Sequence, residues 1–336
     1  MSIYEENQYF RQLVSSSGSR PTLKIIAESP IMKQILADVI QVAKSHASVL
    51  ISGESGTGKE VIAQAIHYNS ARVSHPFIKV NCAAMPETLI DAEFFGHEKG
   101  AFTGANAKRL GRFELAHGGS LLLDEVTEIP LALQPKFLRA IQEQEFERVG
   151  GVKTVKVDVR LISTSNRDIL EAVANKILRE DLYYRLNVVP IHLPPLRERT
   201  EDIIPLAENF LERMCLDNKK ALKKLVDSAK KKLLDYPWPG NIRELANVIE
   251  RAVVLDVSAE IEGEHLLLDN VHPVSSIAVS VQQGVPQIPT GITLRELEKR
   301  FIVETLQQHQ NNRTKAAEML GISLRTLRNK INAYKL

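Results

Sequence analysis

The stretch VLISGESGTGKE, residues 49–60, decides the fold. Val49 to Ile51 is an apolar run that reads as a buried strand. A glycine-rich turn follows at Gly53, Gly56 and Gly58. Lys59 then opens a segment whose apolar residues Val61, Ile62, Ala65 and Ile66 recur at helical spacing. Strand, glycine turn, helix is a phosphate-binding order. The glycines let the backbone turn tightly enough for its N–H groups to face a polyphosphate. The helix N-terminus adds partial positive charge, and a lysine at position 59 reaches the β and γ phosphates. Gly53, Glu54, Ser55, Gly56, Thr57, Gly58, Lys59 and Glu60 are therefore candidate nucleotide ligands. The spacing from Gly53 to Lys59 is G-x-x-x-x-G-K, but the next residue is Glu60 rather than Ser or Thr. A hydroxyl ligand for Mg²⁺ is thus missing there. A plain turn with a solvated lysine is the alternative, and it leaves the strand-to-helix context unexplained.

Working outward, GGSLLLDE (118–125) is an apolar strand ending in two carboxylates. In an α/β sheet such a pair lies beside the phosphate loop. Asp124 is the candidate to hold Mg²⁺, and Glu125 to act as general base on the attacking water. The simpler reading is a charged strand end in which Glu125 and Glu128 favour a helix N-terminus. VDVRLIS (157–163) is another strand, running into Asn166, which is placed to orient the water or sense the γ phosphate unless it merely caps a helix. A further strand, Phe77–Val80, ends at Asn81, with a short helix expected over 86–95. A helix over 30–47 precedes the loop strand, and 133–149 reads as a helical, mixed-charge segment. Strands alternating with helices around a phosphate loop predict an α/β core.

Two segments are not explained by nucleotide binding within one chain. Gly100 and Gly104 bracket Ala101, Phe102 and Thr103, with Ala105 next, which sets an aromatic residue on a flexible tip unless Phe102 folds back. In LREDLYYRLNV (178–188), Arg179 and Arg185 suggest arginines supplied to a neighbour's nucleotide; internal pairing with Glu180 and Asp181 is the alternative. A proline-bounded stretch, 194–205, leads into a smaller helical unit with helices expected at 203–216 and 222–235. Seven lysines between Lys219 and Lys232 suggest a solvated face, with nucleic-acid contact a weaker reading. Trp238 and two prolines precede a helix carrying Arg243, placed either to project back to the nucleotide or to form a salt bridge.

The 336 residues carry 25% charged residues and a net charge of only +2, so any nucleic-acid surface is local. Cys82 and Cys215 form no metal-ligand spacing, as expected in a reducing compartment. No apolar run is long enough to span a membrane, and a cytoplasmic location is expected. Residues 271–290 contain no Asp, Glu, Lys or Arg and read as a linker. Beyond it, Leu294, Leu297, Phe301, Ile302 and Leu306 mark one helix over 294–309. Ala316, Ala317 and Leu320 mark a second, Gly321 a turn, and Ser323 the cap of a third bearing Leu324, Leu327 and Ile331. This is helix-turn-helix spacing. From residue 313 onward six Lys or Arg face a single acid, Glu318. Arg313, Ser323, Arg325, Thr326, Arg328, Asn329 and Lys330 are the candidate DNA contacts. A protein-binding helical tail is the alternative.

GESGTGKE (53–60), EFFGHEKGAFTGA (93–105), GGSLLLDE, LREDLYYRL (178–186) and YPWPGNIREL (236–245) occur in this order, and together they resemble the bacterial enhancer-binding activators of the sigma-54 RNA polymerase. The resemblance spans residues 25–268 and a Fis-like helix-turn-helix at 291–336. It implies a short lead-in (1–22), an AAA+ α/β ATPase subdomain (23–197), a helical lid (198–268), a flexible linker (269–290) and an all-α DNA-binding domain (291–336). It further implies ATP and Mg²⁺ as cofactors, and Lys59 as the phosphate-loop lysine. Asp124 and Glu125 become the acidic catalytic pair, Asn81 the residue restraining the glutamate, and Asn166 the first nucleotide sensor. Arg179 and Arg185 become fingers acting across subunits, and Arg243 the second sensor. Gly100 to Ala105 become the sigma-factor contact. Glu60 fits this family. Expected partners are the sigma-54 polymerase, enhancer DNA and copies of the chain itself, as a dimer through the C-terminal domain and a hexameric ring when active. A sensory domain usual in the family is not present in this sequence, leaving control by a separate regulatory protein, control by expression, or a sensor removed. An AAA+ enzyme acting directly on DNA and a repressor assembled by nucleotide are the competing functions.

Overall fold

The computed structural model describes residues 25–255, 258–268, 298–299, 302–303, 305–306 and 312–334. They belong to two units that divide between Asn270 and Val271. The expected lead-in, the linker and most of the expected helix over 294–309 lie outside the described residues. In the first unit, α1 (Pro30–Ala43) precedes β1 (Val49–Ser52), α2 (Lys59–Tyr68), β2 (Phe77–Asn81), α3 (Glu87–Phe95), α4 (Arg112–Leu115) and β3 (Ser120–Asp124). Then come α5 (Gln134–Gln142), β4 (Glu145–Glu147), β5 (Thr154–Lys156), β6 (Arg160–Ser165), α6 (Ile169–Ala174), α7 (Glu180–Leu186) and β7 (Val189–His192).

Five strands form a parallel sheet in the order β2-β3-β6-β1-β7. Both faces are covered. Leu121 and Leu123 of β3 pack into a layer with Phe94, Phe113 and Phe137, while Leu122 joins Val49, Ile51, Ile66 and Ile162 in the other. Burial on both sides is why these strands read as continuous apolar runs rather than as alternating ones. A parallel sheet also delivers every strand's C-terminal end to one edge. The register sets Asn81 level with Asp124, and Ser52 level with Ser165.

The helical reading of 133–149 holds only as far as Gln142. Gln144 takes a left-handed conformation (φ 55°), and Glu145–Glu147 pairs antiparallel with Thr154–Lys156. The cause is an alternation too short to register as a strand pattern. Phe146 and Val155 are buried between polar or charged neighbours, and Gly150, at φ +73°, supplies the turn.

The lid comprises α8 (Ile203–Asp217), β8 (Lys224–Leu225), α9 (Asp227–Asp235), α10 (Asn241–Leu255) and β9 (Glu260–Ile261). Its core is built on Trp238, fully buried, whose indole N–H donates to Leu233 O at 2.8 Å. The helix expected over 222–235 starts only at Asp227, because Lys224–Leu225 pairs with Glu260–Ile261. Several of its lysines are structural. Lys220 Nζ donates to Val253 O and Val254 O, Lys223 Nζ to Ser258 O, and Lys232 Nζ to Gly263 O and Leu266 O. Lys230 pairs with Glu208. These ammonium groups satisfy chain carbonyls and a carboxylate of the lid, including carbonyls at a helix C-terminus.

In the second unit α11 (Arg313–Met319) and α12 (Leu324–Tyr334) flank Gly321 at φ 62°. Ile302, Leu306, Ala316, Ala317, Leu327 and Ile331 form its core.

Candidate functional site

The phosphate loop joins the end of β1 to α2. Gly53, Gly56 and Gly58 all have positive φ, and a Cβ on Gly53 would meet Leu193 O at 2.7 Å. The Lys59 ammonium folds back over the loop and donates to Gly53 O at 2.6 Å and Glu54 O at 2.8 Å. Burial pushes its pKa down, against the pull of Asp124, Glu125 and Glu54. Thr57 is buried, and its hydroxyl donates to Glu54 O. Glu60 does not face the loop interior. Its carboxylate accepts from Lys79 Nζ at 2.5 Å and Gln64 Nε2 at 3.1 Å.

The strand ends converge beside it. Asp124 accepts from Thr164 Oγ1 at 2.5 Å and from Asn81 Nδ2 at 3.3 Å. Asn81 Oδ1 in turn accepts from Ala83 N and Ala84 N, which fixes its amide. Glu125 sits at φ 57°, ψ 54°; its N–H donates to Thr164 Oγ1, and its carboxylate receives Asn166 Nδ2 at 3.4 Å. The amide meeting Glu125 here is therefore that of Asn166, while Asn81 lies on Asp124. The register explains this, since Asn81 pairs with Asp124 across adjacent strands.

From the lid, Arg243 Nη1 donates to Ser55 Oγ at 2.8 Å, so Arg243 does reach back to the loop. Three further contacts to the loop come from residues that no motif marks as loop partners. Arg197 forms a two-point pair with Glu54 at 2.6 and 2.9 Å, which holds the Glu54 carboxyl below its ordinary pKa. Arg199 donates to Thr57 O, and Asn241 to Ser55 O. Their side chains bind loop carbonyls and a side chain, which leaves no periodic pattern to read. Asn241 lies within YPWPGNIREL (236–245), two residues from Arg243.

Neither Arg179 nor Arg185 bonds to the loop of its own chain. Arg179 forms the internal pair with Asp181, at 3.0 and 2.7 Å, which raises the guanidinium pKa. Arg185 is exposed and has no ion pair among the described residues.

The tip Gly100–Ala105 stands on an aromatic base. Phe95 stacks on Phe113 and meets Phe137 and Phe146 edge-on. Gly100 N donates to Ala105 O and Ala105 N to Phe102 O, closing the tip. Phe102 does not enter the core. It is 39% exposed and leans edge-on against His97, with ring centroids 5.0 Å apart. Thr103 is exposed. The β4–β5 turn packs beside this tip: Glu98 N donates to Val149 O, and Arg148 binds both Glu98 and the buried Glu114.

In the second unit, Ser323 Oγ accepts from Thr326 N at 3.1 Å and pairs with the Thr326 hydroxyl, so Ser323 is the expected cap. Arg313, Arg325, Arg328 and Asn329 are exposed. Lys330 differs from them. Its ammonium is on Glu298 at 2.5 Å, and Glu298 also accepts from Tyr334. That pairing ties α12 to the preceding helical turn and occupies one of the candidate DNA contacts.

Comparison with known proteins gives a match to the sigma-54 interaction domain over residues 25–192, to the AAA+ ATPase lid domain over 197–276, and to the bacterial regulatory protein, Fis family, over 293–334. The chain is 49% identical to the regulatory protein AtoC of Escherichia coli over 99% of its own length and 72% of that protein's. It is also 49% identical to the transcriptional regulatory protein FlbD of Caulobacter vibrioides, over 92% of this chain and 70% of that one. Among solved structures, NtrX of Brucella abortus in complex with ATP superimposes with a TM-score of 0.70 at 32% identity, over 98% of this chain and 73% of NtrX. Among the described residues, no helix is long and apolar enough to cross a membrane.

Proposed function

The chain belongs to the sigma-54-dependent bacterial transcriptional activators, with an AAA+ ATPase and a Fis-type helix-turn-helix, and from that premise we propose the residue-level cycle by which it opens promoters. As a member it binds and hydrolyses ATP and acts on enhancer DNA and the sigma-54 holoenzyme. In our reading Lys59 exchanges its loop carbonyls for the β and γ phosphates. Glu125 accepts the proton of the attacking water, with Asn166 orienting its carboxylate. Asp124 would hold Mg²⁺. It is the strand-end carboxylate beside the loop, and its two oxygens each have one partner and remaining lone pairs, as a hard cation requires. The ion would neutralise phosphate charge.

Arg179 and Arg185 serve a neighbouring subunit's nucleotide in a ring, which we take to be a hexamer. Arg179 leaves Asp181 to do so. Loss of the γ phosphate alters Asp124 and Glu125, and with them Asn81. Asn81 fixes the turn at Ala83 and Ala84 that leads into α3, and α3 ends at the phenylalanines under the tip. Phe102 and Thr103 then shift their hold on the sigma factor. The observation carrying this reading is the convergence of Asn81, Asp124, Glu125, Thr164 and Asn166 at the sheet edge next to Lys59. It is tested by open-complex formation with sigma-54 polymerase and hydrolysable ATP. Wild type is expected to open the promoter. Glu125→Gln is expected to keep ATP binding while turnover and opening fall by about a hundredfold or more. Wild-type turnover in Glu125→Gln removes Glu125 from the base role. Promoter opening that needs no hydrolysis overturns the cycle.

A further inference from the structure

Three consecutive carbonyl oxygens of the phosphate loop are held from behind by the lid side of the chain. Ser55 O accepts from Asn241 Nδ2 at 3.0 Å, Gly56 O from Ile242 N at 3.0 Å, and Thr57 O from Arg199 Nη2 at 2.7 Å. Asn241 is fully buried, at φ 53°. Its Oδ1 accepts from Leu196 N at 2.7 Å, and its amide also donates to Glu54 Oε2 at 3.1 Å. Arg199 is 2% exposed, and its Nε has no partner. The opposing charge acting on it is Asp202, whose oxygens accept from Glu28 N, Ser29 N and Ser29 Oγ. Burying a guanidinium with so little compensation is unfavourable. Among the described residues, its one side-chain hydrogen bond is to the loop, at Thr57 O.

The geometry of the peptide bond gives this arrangement a consequence. In a trans peptide the C=O and the following N–H point in opposite directions. Fixing the carbonyls of 55, 56 and 57 toward the lid turns the N–H groups of Gly56, Thr57 and Gly58 the other way. Thr57 N still closes onto Glu54 O at 3.4 Å. Gly56 lies directly against the lid, where a Cβ would come within 2.4 Å of Gly240 O. We infer that Asn241 and Arg199 are positioning residues that shape the loop's N–H groups for the nucleotide's phosphates, so that the seating of the lid on the loop sets ATP affinity. This rests on the loop being the ATP site.

The test measures KM and kcat for ATP, and the thermal unfolding midpoint, in the full chain. Asn241→Asp keeps the shape and the acceptor for Leu196 N but turns a carboxylate toward Ser55 O and Glu54. It is expected to raise KM by about ten- to a hundredfold, the loss of a hydrogen bond involving a charged or buried group. The kcat at saturating ATP is expected to stay within about threefold of wild type. Arg199→Met removes the donor together with its desolvation cost. It is expected to hold or raise the unfolding midpoint while raising KM about tenfold, which keeps the test intact if Asn241→Asp fails to fold. Wild-type KM in folded Asn241→Asp or Arg199→Met, or a fall in kcat alone, overturns the inference. Lys59→Ala separates it from its premise. Undiminished ATP binding in Lys59→Ala means the loop is not the site, whereas binding lost there and unchanged in Arg199→Met means only that the positioning role is wrong.

Discussion

Glu125 holds a backbone conformation that costs a non-glycine residue about 1–2 kcal/mol. The strain is sustained by its N–H bond to Thr164 Oγ1, the same hydroxyl that donates to Asp124. One threonine on β6 thereby holds both the Asp124 carboxylate at the end of β3 and the backbone of Glu125 just past it, the kind of strain that clusters at working sites. A second residue carries a different consequence. His67 is 1% exposed, stacks on Phe77 and pairs through Nδ1 with Ser120 Oγ at 3.0 Å. Burial lowers its pKa from the ordinary 6.5 to about 4. Between those values the unfolded chain binds a proton that the folded chain refuses, so stability rises with pH in that window. The contribution is complete above pH 6.5 and lost as the pH falls toward 4, about 3 kcal/mol in all. Denaturant titrations between pH 7 and 4 should show this slope, and His67→Gln should flatten it.

At the scale of elements, the tip Gly100–Ala105 does not stand alone. The β4–β5 turn lies against its base, and a Cβ on Gly150 would come within 2.7 Å of Ala101 Cβ at a φ of +73°. Gly150→Ala should therefore displace the tip without touching the nucleotide site. ATP turnover is expected to stay within about twofold of wild type while promoter opening falls about tenfold or more. Parallel ATPase and open-complex assays check the split, and equal loss of both activities rules it out. The tip motif was legible in the sequence because its glycines and lone aromatic residue make little sense in an ordinary loop. The hairpin beside it was not legible. Three-residue strands carry too little alternation to outweigh the helical look of 133–149, and their pairing depends on Phe146 and Val155 finding the aromatic core.

For the whole molecule, Arg179 and Arg185 have no work at their own chain's loop, which agrees with a site completed by another copy. Mixing Arg179→Ala subunits with Lys59→Ala subunits is the direct check. Each alone should be nearly inactive. Mixed rings should regain a measurable fraction of ATPase activity, because some interfaces pair an intact loop with an intact arginine. No recovery in rings shown to contain both variants counts against action across the interface. The helix-turn-helix carries the complementary lesson. Its basic residues can be counted in the chain, but Lys330 is engaged by Glu298, and only folding brings those two residues together.

The amino-acid sequence by itself determined the phosphate loop, the acidic pair, the tip and the helix-turn-helix, because each is a local pattern whose chemistry requires particular residue types at fixed spacing. It also determined the α/β core, since strands buried on both faces need continuous apolar runs. The tertiary structure alone decided which amide meets Glu125, that Glu60 turns to Lys79, that several lid lysines close carbonyls, and that Asn241, Ile242 and Arg199 grip the loop from behind. These are contacts between residues far apart in the chain, made by hydrogen bonds to carbonyls and side chains. Every residue carries a carbonyl, so nothing in the sequence marks which ones will be bound until the sheet register and the lid packing bring the partners within reach.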